Sequence, residues 1–358
     1  MSNINLTKSN SKVGNSYDLL KFIMALLIVA IHTNAFYGPW FCTWFQPVIY
    51  IAVPVFFVLS SMFYFIKVRK NISDRFSILK QYVKRIGTLY CFWFIINIPF
   101  IQNNHHYFTN GGGGKDFVRL ILDILLRYTF SGSWFFSSLV LAVVIYTVIL
   151  KYKYVLNCIL VVSIILLLYI SWHDILPSDY GVFYGWLQTI LREEVSLTVC
   201  TSLGWVGLGV CFSSDNMQNV IIKAKKNNKA VVCMLLCLFM TILYVINYNY
   251  GFKWLNIILL IALTCLYVLT AGAMNINQNT KLYKLRKMSV LFYMLHFIII
   301  YTGSFFIKSI THLEYDSLAD YVGFIPGYFI VLSLCYISSC IILKLSGFKK
   351  TRWLAFSY

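Results

Sequence analysis

Apolar runs of about twenty residues, separated by short polar loops, repeat along the whole chain. They cover Tyr17 to Phe36, Gln46 to Ile66, Tyr82 to Ile101, Trp134 to Leu150, Tyr154 to Ser171, Ser196 to Phe212, Val231 to Asn247, Trp254 to Thr270, Met288 to Ile307 and Val322 to Leu343. Each is near the length a helix needs to cross a hydrocarbon core of about 30 Å. The pattern predicts an all-α, polytopic membrane bundle of about ten transmembrane helices. The polar stretches divide the chain into a disordered cytoplasmic tail at 1–16, a membrane domain at 17–345 and a basic cytoplasmic tail at 346–358.

Two of these runs carry ionisable or hydrogen-bonding residues at helical spacing. In YDLLKFIMALLIVAIHTNAF, Lys21 and His32 are eleven residues apart, which places them on nearly one face and roughly 16 Å apart along the axis. Asp18 lies one turn before Lys21; it either orients that lysine or marks the helix N-terminus, where acids are favoured. Ala25, Ile28 and Ala35 complete the stripe with small or apolar side chains. Ionisable groups lose hydration in lipid, so such a stripe faces a bundle interior or a water-filled cavity. In KMSVLFYMLHFIII, Ser289, Tyr293 and His296 recur at i, i+4 and i+7, again on one face. A lone histidine in a helix is more often a packing residue than a catalyst, but two make a shared cavity the better reading.

Composition excludes a soluble globule: 59% of residues are hydrophobic, 18% aromatic and only 12% charged. A net charge of +18 would elsewhere suggest nucleic acid. Here the basic residues sit in loops between apolar runs, the distribution of a topology signal, so no nucleic-acid partner is expected. Lys and Arg crowd the loops on the N-terminal side and are sparse on the other, which puts both termini in the cytoplasm. The richest inside loop holds Lys67, Arg69, Lys70, Arg75, Lys80, Lys84 and Arg85. It serves either topology and attraction to lipid headgroups or capture of a phosphorylated cytoplasmic substrate.

The remaining polar features say less. The outside loop Gln102 to Ser133 contains Gly111 to Gly114, read as a flexible stretch because the strand and helix of a phosphate loop are missing. His105 and His106 have no further ligand at useful spacing, so no metal is expected. Of the ten cysteines, most lie in apolar runs, none forms a CxxC pair and only Cys42 is clearly in an outside loop, so no disulfide framework follows. Arg192, with Glu193 and Glu194, is either part of a solvated cluster or an acceptor-side contact.

Taken in order, several segments resemble the acyltransferase-3 family of bacterial membrane acyltransferases. Lys21 and His32 in DLLKFIMALLIVAIHTNAF match its R/K-x10-H signature. VPVFFVLSS resembles its second-helix motif, VKRIGTLY the start of its third helix, SGSWFFSSLVLAVVIY its Trp-Phe helix and MSVLFYMLH its late S-x-x-x-Y-x-x-H helix. The second-helix motif often ends Ser-Gly; this chain has Ser60-Ser61 there. The resemblance implies transfer of an acyl group, commonly acetyl from acetyl-CoA as co-substrate with no bound cofactor, to a hydroxyl of a surface glycan or lipid-linked glycan. It implies a bacterial cytoplasmic membrane location, a catalytic role for His32 and donor-binding roles for Lys21, Lys84 and Arg85. Asp18, Trp134, Arg192, Ser289, Tyr293 and His296 are candidates for cavity-lining or acceptor-side residues. The chemistry agrees: a neutral imidazole within hydrogen-bond reach can take the proton of a sugar hydroxyl as it attacks a thioester. A permease or exporter of a glycan or amino acid is the alternative, since it too needs ionisable residues at membrane depth.

Overall fold

The computed structural model describes residues 15–36, 43–105, 114–126, 128–175, 184–187, 198–276, 280–312 and 322–358. Cys42, His106, Arg192, Glu193, Glu194 and residues 1–14 of the predicted tail at 1–16 lie outside the described residues. Regular structure among the described residues is helical throughout. The principal helices are α1 (Ser16–His32), α2 (Ala52–Lys70), α3 (Arg75–His105), α4 (Gly114–Leu126), α5 (Trp134–Ile149) and α6 (Lys153–Ile175). They continue with α7 (Val199–Phe212), α8 (Asp215–Lys226), α9 (Ala230–Tyr250), α10 (Lys253–Ala273), α11 (Thr280–Thr311) and α12 (Phe324–Leu345). Short 3-10 segments, Gln46–Ile51, Ile72–Asp74 and Lys349–Ser357, join or follow them.

Each predicted apolar run contains or overlaps a helix. Six helices among the described residues are long and apolar enough to cross a membrane, and α5 and α7 are shorter apolar helices. Their outward faces are apolar: Val161, Val162, Leu235, Leu238, Phe239, Phe305, Phe306, Phe329 and Ile337 are all exposed. A surface so rich in large aliphatic and aromatic groups suits lipid as the surrounding solvent. The chain is a multi-pass membrane protein.

Two helices fall where loops are expected. α4 lies inside the predicted outside loop Gln102 to Ser133, with Phe117, Val118, Ile121, Leu122 and Leu125 exposed and Asp123 buried. α8 follows Ser214, whose hydroxyl caps it by accepting from the Met217 N–H. Both are amphipathic, so their apolar residues come in a helical stripe instead of a continuous run.

Contacts between the helix termini show that the chain runs back and forth across the bundle. Ser16 Oγ donates to the Ala271 carbonyl, joining the start of α1 to the end of α10. Tyr17 packs edge-on against Phe63 near the end of α2, and Arg69 Nε donates to Ser213 Oγ just past α7 at 2.9 Å. Lys287 Nζ, near the start of α11, donates to the Tyr358 hydroxyl at 3.2 Å. The basic loops are therefore gathered at one end of the bundle. The C-terminal segment also packs on α3, where Trp93 Nε1 donates to the Ser357 carbonyl at 3.0 Å.

Where relatives carry Ser-Gly at the end of the second-helix motif, Ser61 here is fully buried and donates to the Phe57 carbonyl at 2.7 Å, inside an unbroken helix. Close approach is provided from the other side. A Cβ at Gly209 on α7 would fall within 2.7 Å of the Val58 carbonyl and also against the Ser61 hydroxyl. The glycine requirement thus sits on the partner helix.

Candidate active site

α1 is built to end where it does. Asn15 and Asp18 form a reciprocal capping box at its start: the Asn15 side chain accepts from backbone N–H groups, and Asp18 Oδ2 accepts from Asn15 N at 3.1 Å. The predicted run extends to Phe36, but the helix stops at His32. Thr33 takes the cap position and Asn34 turns the chain with φ of +52°. His32 is thus the last helical residue, beside the unpaired carbonyls that make a helix C-terminus favourable for a cation.

The neighbour that matters is α11. Ala25 and Val29 of α1 pack against Met288 and Phe292 of α11 in one buried cluster. At one end of this seam, Arg286 Nε and Nη2 donate to Asp18 Oδ1 and Oδ2 at 2.6 and 2.8 Å, a bidentate pair. At the other end the rings of His32 and His296 lie 5.2 Å apart, their planes 30° apart. The two helices therefore run parallel. Asp18 to His32 spans about 21 Å of helix and Arg286 to His296 about 15 Å. The arginine side chain leans toward its helix N-terminus and covers the difference of about 6 Å.

Around the histidines the site is aromatic. Phe297 packs 4.3 Å from His32 and 4.1 Å from His296 between ring centroids. His296 is completely buried, whereas His32 retains exposed surface. His296 Nδ1 is bonded to the Phe292 carbonyl at 2.9 Å, and its Nε2 has no hydrogen-bond partner. One turn back, Tyr293 sits among Phe56, Phe135 and Phe136 and donates its hydroxyl to the Gly132 carbonyl at 2.7 Å.

Gly132 is required at that position for two reasons. Its φ is +84°, and an added Cβ would lie 3.1 Å from Phe297 Cε2 and 3.2 Å from the Tyr293 hydroxyl. Left-handed backbone costs a non-glycine residue about 1 to 2 kcal/mol. We expect Gly132→Ala to destabilise the protein by at least about that amount and to displace the Tyr293 hydroxyl. A melting curve in detergent together with tyrosine accessibility checks both; an unchanged melting temperature would mean that this turn relaxes freely.

The opposite end of α1 is cationic. Lys21 is half-buried with its Nζ 5.3 Å from the centre of the Phe63 ring. Asp18, Arg85 and Arg286 are all close enough for their charges to act on its ammonium. Since Asp18 gives both carboxylate oxygens to Arg286, the expected orientation of Lys21 by Asp18 does not occur as a direct pair; Asp18 is the cap and the arginine's partner. Three cations against one acid leave a positive site. Lys84 is exposed on α3.

Other candidate residues lie elsewhere or point inward. Trp134 is half-buried against Phe57 on α2, in the core beside the site. Ser289 is buried and donates to the Arg286 carbonyl of its own helix at 2.8 Å. Arg192 lies outside the described residues. Sequence reasoning missed Arg286, Gly132 and Phe297. Arg286 had a usable signal, since it precedes Ser289, Tyr293 and His296 by three, seven and ten residues on the same helical stripe.

The acyltransferase domain family matches residues 15–344, nearly the whole chain, and the chain belongs to that acyltransferase-3 family. No curated protein and no solved structure matches it.

Proposed function

We propose that this protein is an O-acyltransferase of the bacterial cytoplasmic membrane that moves an acyl group, acetyl from acetyl-CoA first among candidates, to a hydroxyl of a surface or lipid-linked glycan. The observation that carries this reading is the arrangement along α1: a cation cluster around Lys21 at one end and an accessible His32 about 16 Å away at the other. With the N-terminus in the cytoplasm, Lys21, Arg85 and Arg286 face the side where acyl-CoA is found. Guanidinium and ammonium groups suit its phosphates, and the narrow pantetheine arm carries the thioester toward His32.

In this mechanism His32 takes the proton of the acceptor hydroxyl as the oxygen attacks the thioester carbonyl carbon. The tetrahedral intermediate collapses, the C–S bond breaks and the imidazolium returns its proton to the departing thiolate. The products are an ester and free coenzyme A. The position of His32 at the C-terminal end of α1 favours the imidazolium formed on the way by about 0.3 to 1 kcal/mol.

Mass spectrometry of surface glycans from cells with and without the protein tests the reading. Loss of an acyl mass from the deleted strain, restored by the gene, is the expected result. Unchanged glycans together with loss of movement of a solute would replace it with the permease reading. Within the enzyme reading, Lys21→Ala should raise the KM for acyl-CoA and Lys21→Arg should keep most of the activity, because both cations serve a phosphate. Steady-state kinetics in membranes decide this; intact donor binding with poor accumulation of Lys21→Ala would make the lysine structural.

A further inference from the structure

His296 carries a group that the packing leaves unexplained. Its ring is fully buried, yet Nε2 has no hydrogen-bond partner, and a buried polar atom left unpaired is destabilising. The tautomer follows from the other nitrogen. The Phe292 carbonyl can only accept, so Nδ1 carries the proton that makes the 2.9 Å bond. Protonating Nε2 as well would place an unpaired charge in a fully buried site, at a cost of several kcal/mol. Nε2 is therefore a fixed acceptor, and the atom it serves must carry a hydrogen.

The rings packed against His296 narrow the choice. Tyr293 has already given its hydroxyl hydrogen to Gly132, and Phe297 has none to offer. His32 remains, with its ring centre 5.2 Å away. Two imidazoles joined by an in-line N–H···N hydrogen bond of about 3 Å have centroids roughly 5 Å apart, so the separation is already correct. What is lacking is orientation, which rotation of the exposed His32 ring about its own side-chain bonds supplies without backbone movement. His296 itself is fully buried, with His32 and Phe297 packed against it.

We propose that His296 is a positioning residue for His32: its Nε2 accepts the N–H of His32 and so turns the lone pair of the other His32 nitrogen toward the acceptor hydroxyl. The proposal rests on the reading of His32 as the base. The hydrogen-bonded order is Phe292 carbonyl, His296, His32, acceptor hydroxyl, in which every donor has one acceptor. The buried histidine thus does for the exposed one what a carboxylate does in hydrolase triads, fixing tautomer and ring direction.

Two measurements test it. In protein with 15N-labelled histidine, solid-state NMR should show a 15N–15N coupling across a hydrogen bond between the His32 and His296 rings, absent in His296→Phe. In membranes, His296→Phe, which keeps an aromatic ring but has no acceptor, should lose at least about 10-fold in kcat, toward the roughly 10⁴-fold loss of a catalytic histidine deprived of its tautomer partner. Its KM for acyl-CoA should hold, and His296→Gln, with an amide oxygen to accept, should recover part of the loss. Absence of the coupling in the unsubstituted protein overturns the pairing, whether or not the variants fold. A coupling present with full turnover in His296→Phe overturns the positioning role. If the unsubstituted protein transfers no acyl group, the proposed function fails, while the coupling still decides the pairing.

Discussion

Replacing His32 by alanine should abolish acyl transfer in membranes while the protein accumulates normally and still binds acyl-CoA. Loss of a general base costs about 10² to 10⁴ in rate. The fold has little to lose: His32 is the last residue of α1 and retains exposed surface, and the seam with α11 is held by Ala25, Val29, Met288 and Phe292. The donor site lies about three turns away around Lys21, so binding should persist. Assays of membranes with labelled acyl-CoA, run beside a binding measurement on the same preparation, separate the two effects. Near-normal turnover of His32→Ala beside a dead His296→Ala would reverse the roles of the two histidines.

The apolar periodicity made the bundle legible. Runs of near-constant length, with basic residues confined to alternate loops, predict a polytopic helical protein, and helices form within or across each run. The pattern fails where its signal differs in kind. α4 and α8 carry their apolar residues as a helical stripe, so no continuous run announces them, and four glycines before α4 draw attention to flexibility instead. The predicted run reaches past the end of α1 because Ala35 and Phe36 continue its apolar character beyond Thr33 and Asn34, while the stop is set by Asn34 entering left-handed backbone.

Within the site, what one helix contains was legible; that His32 and His296 share a cavity was expected only from there being two such histidines, not from their spacing. The spacing of Lys21 and His32, and that of Ser289, Tyr293 and His296, places each set on its own stripe. Nothing in that spacing says that the stripes face each other. The same limit explains Asp18: sequence proximity offers Lys21 as its partner, whereas packing offers Arg286, 268 positions further on. A guanidinium wins because its planar fork matches both carboxylate oxygens. Gly132 stood within the quoted SGSW segment, but the reason for it is a backbone angle and two ring contacts from α11, neither of which a linear pattern contains.

The Asp18–Arg286 pair should prove the largest single electrostatic contribution to stability in the α1–α11 seam. Its two partners are unequal: the Asp18 side chain is 5% exposed and that of Arg286 43%. Arg286→Met removes the guanidinium and leaves a carboxylate in a nearly dry position. Breaking a buried pair this way costs about 3 to 5 kcal/mol, and the partial exposure of the arginine brings the expected loss to about 2 to 3. Asp18→Asn keeps the oxygen that caps α1 and leaves a guanidinium that can reach water, so about 1 kcal/mol is expected. Because the single changes remove the same interaction, the double variant should cost less than their sum by about 1 kcal/mol or more. Unfolding in detergent, followed by helical circular dichroism, measures all four proteins. The effect should reach catalysis too, since the pair pins one end of the two parallel helices whose other end aligns His32 with His296. A fall in kcat for Arg286→Met larger than its change in acyl-CoA KM is the expected sign; strict additivity of the stability changes, with only KM affected, would make Arg286 a phosphate ligand and no more.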